Sequence, residues 1–191
     1  LKKFRLVITG NPGVGKHTSA KIVAEKLGAE IIDINKVAID NGAILEKTGR
    51  GLDVDVKKLS RLLAKFLKSK KDLIIVGHLA PYVLKPADVD LVAVLRRSPY
   101  ELEKTLAKRG YVADKIRENV ASEILGVSLY DSLKRFGKRK IAEFDTTGAT
   151  PRRTAEEIIS TLRDRSPRRA GATDWLSLIS EKGDIQKFFE Y

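Results

Sequence analysis

Apolar residues fall along this chain in two alternating rhythms. FRLVIT (Phe4–Thr9), AEIIDI (Ala29–Ile34), DLIIVGH (Asp72–His78) and VDLVAVL (Val89–Leu95) are short, nearly unbroken runs rich in β-branched residues, the pattern of buried strands. Between them, apolar positions recur every three to four residues. Ala20, Val23, Ala24 and Leu27 mark one helix, closed by Gly28, and Leu59, Leu62, Leu63, Phe66 and Leu67 mark another. Pro99 opens a third that runs to about Lys108. RGYVADKIRENV then breaks and restarts a helix with a predicted buried stripe of Ile116, Val120, Ile124 and Val127. KIAEFDTTG (Lys140–Gly148) contains a last strand, and Pro151 stands at the start of a helix reaching about Leu162. Strands alternating with helices predict an α/β fold: a five-stranded parallel sheet with both faces covered. Residues 36–54 show neither rhythm and hold Gly42, Gly49 and Gly51, so they are expected to be irregular.

The pattern ends in two unlike pieces. RDRSPRRAGATD (Arg163–Asp174) reads as a basic linker, and we place the boundary of the main domain near residue 165. Beyond it, residues 166–191 end in WLSLISEKGDIQKFFEY, where Trp175, Leu176, Ile179, Ile185, Phe188 and Phe189 form an amphipathic tail. A stripe at helical spacing usually serves packing, so docking against the domain is expected.

Composition narrows the class further. The 191 residues are 42% hydrophobic, enough for one substantial core. Cysteine is absent, which excludes disulfides and thiolate metal sites and fits a reducing, cytoplasmic setting. No apolar run approaches the ~20 residues that span a bilayer, so no membrane role is expected. Methionine is absent too, so we expect an initiator residue outside this chain. Thirty-seven Lys and Arg against 25 Asp and Glu give a net charge of +12. That charge attracts polyanions such as nucleotides or RNA, although a generally charged surface gives the same total.

The chemistry concentrates in GNPGVGKHTSA (Gly10–Ala20). Gly10-x-x-x-x-Gly15-Lys16 follows a predicted strand and opens a predicted helix, the context that makes the motif a phosphate-binding loop. Its glycines allow backbone N–H groups to turn inward, the helix adds its positive end, and Lys16 supplies a point charge to the terminal phosphates. His17 occupies the position where such loops place a hydroxyl for Mg²⁺. Thr18 carries a hydroxyl one residue later, about 100° around the helix at ~3.6 residues per turn, and is assigned to the α-phosphate. Arg96, Arg97, Arg109 and Arg117 are expected around one side of the site to offset transferring charge. The 36–54 segment has the length of a flap over a second nucleotide.

VITGNPGVGK, GHL, VLRRSP, LAKRGY, KIRENVASEI, DTTG and GATDWLSLI, in this order and over nearly the whole chain, resemble the adenylate kinase isoenzyme 6 family, above all its archaeal branch. The resemblance implies a P-loop fold of nucleoside monophosphate kinase type, transfer of phosphate from ATP to AMP, and ATP hydrolysis. It also implies a role in small-subunit rRNA maturation with a small-subunit ribosomal protein as partner. By position, Gly13, Gly15, Lys16 and Thr18 would bind ATP phosphates, with His17 in the second hydroxyl slot. A flap would span Asn35–Asp55 and a lid Lys108–Glu118. Arg109 would touch ATP, and Thr147 and Gly148 would lie near adenine.

Two departures stand out. The family's third strand ends in Asp-x-His, whereas IIVGHL has Val76 at the aspartate position and keeps His78. Lys36 stands where many relatives carry an acidic flap residue. His17 and His78, the only two histidines, should both flank the γ-phosphate, with His78 positioning water or the acceptor. Two imidazoles without a carboxylate make a poor metal site, so no protein metal ligand is expected and Mg²⁺ would rest mainly on phosphates and water. Asp33, Asp40, Asp53 and Asp55 are read as solvated or capping residues. The rival function is an ATP-binding assembly factor with little or no turnover that docks a ribosomal protein and RNA.

Overall fold

The computed structural model describes residues 3–48, 51–69, 71–164 and 170–189. Five strands form one parallel sheet: β1 (Arg5–Thr9), β2 (Glu30–Asp33), β5 (Leu73–Val76), β6 (Leu91–Arg96) and β7 (Ile141–Asp145), in the order β2-β5-β1-β6-β7. Successive residues of the central strands enter opposite cores. Ile74 and Val76, with Leu91, Ala93 and Leu95, face one side; Leu73 and Ile75, with Val92 and Val94, face the other. Covering both faces makes every one of these positions apolar, which is why the strands read as continuous runs.

Helices α1 (Lys16–Leu27), α5 (Pro99–Lys108), α6 (Ala113–Ile124) and α8 (Pro151–Asp164) supply residues to the first core. The opposite face receives α2 (Ile34–Asp40), α3 (Val56–Phe66), the short α4 (Ala80–Val83) and α7 (Val127–Phe136). Asp33 caps α2 and Asp55 caps α3, each carboxylate accepting N–H groups of the first turn, as expected of capping aspartates.

The structure revises two readings. Residues 36–54 are not irregular. They finish α2 and then form an antiparallel hairpin of β3 (Ile44–Thr48) and β4 (Gly51–Val54). Helix α2 buries only Ile34, Val37 and Ala38 in seven residues, too short a stripe to announce a period. Val127 does not continue the α6 stripe. Gly126, at φ 66°, ends that helix and starts α7, so Val127 is exposed while Val120 and Ile124 are buried.

The C-terminal residues pack on the domain. Helices α9 (Trp175–Glu181) and α10 (Ile185–Phe189) bury Trp175, Ile179 and Phe188 in the first core. Burying side chains of this size contributes roughly 1.5–3 kcal/mol each. Leu176 and Ile185 of the expected stripe remain exposed. Residues 165–169 of the expected linker lie outside the described residues.

Candidate active site

β1 delivers the chain to Gly10, and the loop to Gly15 turns it into α1. Gly13 and Gly15 have φ of 91° and 96°, values that L side chains rarely adopt. A Cβ on Gly13 would stand 2.6 Å from Leu102, so the loop backbone lies tight against α5. Helix α1 has no side-chain cap and no acidic residue in its first turn. Its leading N–H groups and the positive end of its dipole are left for an anion.

A cleft of roughly 730 Å³ opens in front of this helix. Gly13, Gly15, Lys16, His17, Thr18, His78 and Arg109, all expected at the site, line it together. Asn35 and Ala38 of α2, and Ile44 and Val54 of the hairpin, form one wall. Arg109, Tyr111 and Lys115, from the α5–α6 turn and the start of α6, line it as well.

Like Thr147, Gly148, expected near adenine, lies outside that lining. Its N–H donates to Glu101 at 3.2 Å. The loop that carries it still abuts the phosphate loop, because the Thr146 hydroxyl donates to the carbonyls of Arg96 and Val14 at 2.9 and 3.2 Å.

Lys16 is buried and donates to the Asn11 carbonyl at 2.8 Å. Burial pushes its pKa down to about 8, with the negative charge of Glu123 opposing the shift. The lysine therefore still carries its proton at pH 7, held inside the loop. His78 moves the same way, down to about 4, because its ring is desolvated and Lys16 lies near. The residue is nonetheless exposed and lines the cleft. His78 is therefore a neutral imidazole at pH 7, able to donate or accept a hydrogen bond but not to act as a cation.

His17 does not stand without a carboxylate, as the sequence reading had it. Its Nε2 lies 2.9 Å from Asp33 Oδ2, while Asp33 Oδ1 accepts the N–H groups of Asn35 and Lys36. Asp33 and Val76 are register partners at the ends of neighbouring strands. Val76 itself is fully buried in the core. Among the described residues no group of three or more His, Cys, Asp or Glu could hold a metal ion.

The expectation of four arginines around one side of the site also needs correction. Arg96 is fully buried and turned away from the cleft. Its Nε donates to Glu123 at 2.6 Å and its Nη1 to Glu143 at 2.7 Å, because two carboxylates on α6 and β7 meet it inside the fold. Arg97 pairs with Glu101 and reaches the Gly13 carbonyl at 3.4 Å. Arg117 pairs with Asp114 on its own exposed helix face. Of the four, Arg109 alone lines the cleft, where Lys115 joins it.

Two polar clusters escaped the sequence reading. Asn11 donates to Glu123 Oε2 at 2.7 Å and accepts from Ser122 and Ser128 at 3.1 and 3.3 Å. Glu123, fully buried, is the acceptor that fixes it. Its sequence signal was its place three residues after Val120, which puts it on the buried face of α6. Across the cleft the Tyr82 hydroxyl donates to Asp131, and this bond, ahead of desolvation, pushes the tyrosine pKa up to about 12. No spacing in the sequence links residues 82 and 131.

A glycine loop ending β1, an unshielded helix start, a buried lysine and the sheet order define a P-loop kinase fold. The likeness to solved kinases agrees. The shikimate kinase of Acinetobacter baumannii in complex with shikimate superposes with a TM-score of 0.62 at 14% identity, covering 86% of this chain and 96% of that one. A sugar kinase of Janibacter sp. gives 0.59 at 17% identity, covering 87% and 97%. The family model described as AAA domain matches residues 6–126. The chain belongs to the same family as a group of archaeal proteins named "Putative adenylate kinase". Those of Pyrococcus furiosus and Thermococcus kodakarensis are 39% and 36% identical over 92% of this chain and 93% and 95% of their own. That of Methanocaldococcus jannaschii is 33% identical over 98% of this chain and 97% of its own.

Proposed function

We propose that this protein transfers the γ-phosphoryl group of ATP to AMP. The observation that carries this reading is the shared cleft. Phosphate-loop residues and Arg109 line one space with Asn35, Ala38, Ile44 and Val54, leaving room for a second nucleotide in front of the first. Gly13, Gly15 and Thr18 bind ATP phosphates, Gly148 lies on the adenine side, and segments 35–55 and 108–118 serve as flap and lid. The fold around the loop suits ATP, because open amides and a protonated lysine meet where phosphates would lie.

Lys16 exchanges the Asn11 carbonyl for phosphate oxygens. Arg109 stabilises charge as it develops on the transferring group, and positioning supplies most of the remaining catalysis. Neutral His78 hydrogen-bonds the acceptor or an attacking water. The residues also suit Mg²⁺, which as a rule uses one or two carboxylates plus substrate phosphates. Asp33 would be that carboxylate, steadied by His17, and the ion would neutralise phosphate charge.

The alternative, an ATP-binding assembly factor with little turnover, is favoured by one observation: residue 17 lacks the hydroxyl and residue 76 the carboxylate. Asp33 beside Val76 weighs against it, since a carboxylate remains at this corner. The family resemblance and the net charge of +12 support an rRNA and ribosomal-protein setting in the cytoplasm for either reading. A coupled assay separates them. ADP formed only with AMP present is the expected result. Phosphate released without AMP indicates an ATPase, and bound ATP without either product refutes the kinase.

A further inference from the structure

The C-terminal tail reaches the phosphate loop through one carboxylate. Trp175 donates its indole N–H to Glu123 Oε1 at 3.1 Å, and Asn11 of the loop donates to Oε2 at 2.7 Å. Oε1 also accepts Arg96 Nε at 2.6 Å and the Arg97 N–H at 3.1 Å. Just upstream, the N–H groups of Gly171 and Ala172 donate to Glu143 Oε2 at 2.7 and 2.9 Å, and Glu143 in turn holds Arg96. A carboxylate this buried needs its donors to offset the cost of leaving water. Each donor therefore helps to set the angle at which Glu123 grips Asn11. Asn11 also supplies the carbonyl that holds Lys16 in this structure, so Trp175 acts two hydrogen-bonded partners away from the phosphate-binding lysine.

We infer that Trp175, acting through Glu123, is a positioning residue for the phosphate loop, so that tail docking and ATP binding are coupled. The inference rests on the reading that this loop binds ATP. Binding draws Lys16 off the Asn11 carbonyl, and the loop resettles with Asn11 still tied to Glu123. The change in field is felt at the indole. Coupling is reciprocal: whatever loosens the tail weakens ATP, and ATP tightens the tail.

The chain contains a single tryptophan, so indole emission comes from Trp175 alone. The full chain is titrated with the imido analogue of ATP, following emission and calorimetry in parallel. Emission is expected to change and to saturate with the calorimetric Kd. Trp175→Phe keeps the packing and removes the N–H. It should raise that Kd, and the KM for ATP, by about threefold to tenfold while kcat moves less than about twofold. A merely structural tryptophan would lower Tm and leave the Kd of the folded protein alone. Heat of binding with flat emission, or an unchanged Kd in Trp175→Phe, overturns the coupling and leaves the kinase reading intact. Absence of analogue binding to the unmodified chain overturns both. The emission experiment needs no variant, so it stands even if Trp175→Phe fails to fold.

Discussion

Replacing Lys16 by methionine should stabilise this protein while destroying its affinity for ATP. Lys16 is buried, and its pKa falls from the ordinary 10.5 to about 8. At ~1.36 kcal/mol per pKa unit, keeping it charged inside the fold costs about 3 kcal/mol. Methionine has similar length and carries no charge. It leaves the Asn11 carbonyl without its donor, a loss of about 1 kcal/mol. Lys16→Met should therefore gain about 2 kcal/mol at pH 7. The pH dependence fixes the sign. Below pH 8 the lysine is protonated in both folded and unfolded chains, so the cost is fully present. Between pH 8 and 10.5 the folded state releases the proton first and the cost shrinks; above 10.5 it is gone. Urea unfolding of both proteins at pH 7 and pH 10 measures the difference, and calorimetry should show ATP binding weakened by about 100-fold or more. A variant no more stable than the parent at pH 7, or an advantage equal at the two pH values, refutes the reasoning.

Other substitutions probe separate parts of the site. Arg109→Ala should lower kcat by roughly 100- to 1,000-fold with a smaller change in ATP affinity, because its charge is needed most in transfer; equal losses in both would mean that Arg109 only binds. His17→Ala removes the imidazole that steadies Asp33 and should raise the Mg²⁺ concentration giving half-maximal turnover; an unchanged metal titration would show that residue 17 is remote from the proposed metal corner. Glu123→Gln should cost about 3–5 kcal/mol in urea unfolding, because buried Arg96 loses a charged partner, and a change below ~1 kcal/mol would show that Glu143 alone satisfies the arginine.

The parts of the molecule legible in sequence are those whose determinants are local. β5 and β6 announce themselves because each residue from Leu73 to Val76 and from Leu91 to Leu95 enters one of two cores. The phosphate loop is legible because Gly13, Gly15 and Lys16 are neighbours in sequence. What escaped depends on distant residues or short elements. Arg96 looks like a phosphate ligand in the run Arg96-Arg97-Ser98, and only the approach of Glu123 and Glu143 makes it a core residue. The β3–β4 hairpin lies among polar positions, where half-exposed strands leave little alternation to read. Gly126 marks a helix break that a 3.6-residue period runs straight through, since Val127 continues the spacing while the backbone does not.

The corner proposed for Mg²⁺ turns on the same distinction between chain and space. In sequence, His17 and Val76 are two separate losses, one hydroxyl and one carboxylate. In the fold, Val76 is paired in register with Asp33, and neighbouring strands lie only ~4.8 Å apart. The carboxylate therefore stands one strand over from the expected place. It cannot reach as far forward as a residue beyond the strand end, because Oδ1 is already committed to the first turn of α2. The longer side chain at position 17 closes that distance, with Nε2 meeting the remaining oxygen. His17 and Asp33 thus act as one pair, the carboxylate fixing the orientation of the imidazole. This corner follows from strand register and side-chain length together, and neither is visible at position 17 alone.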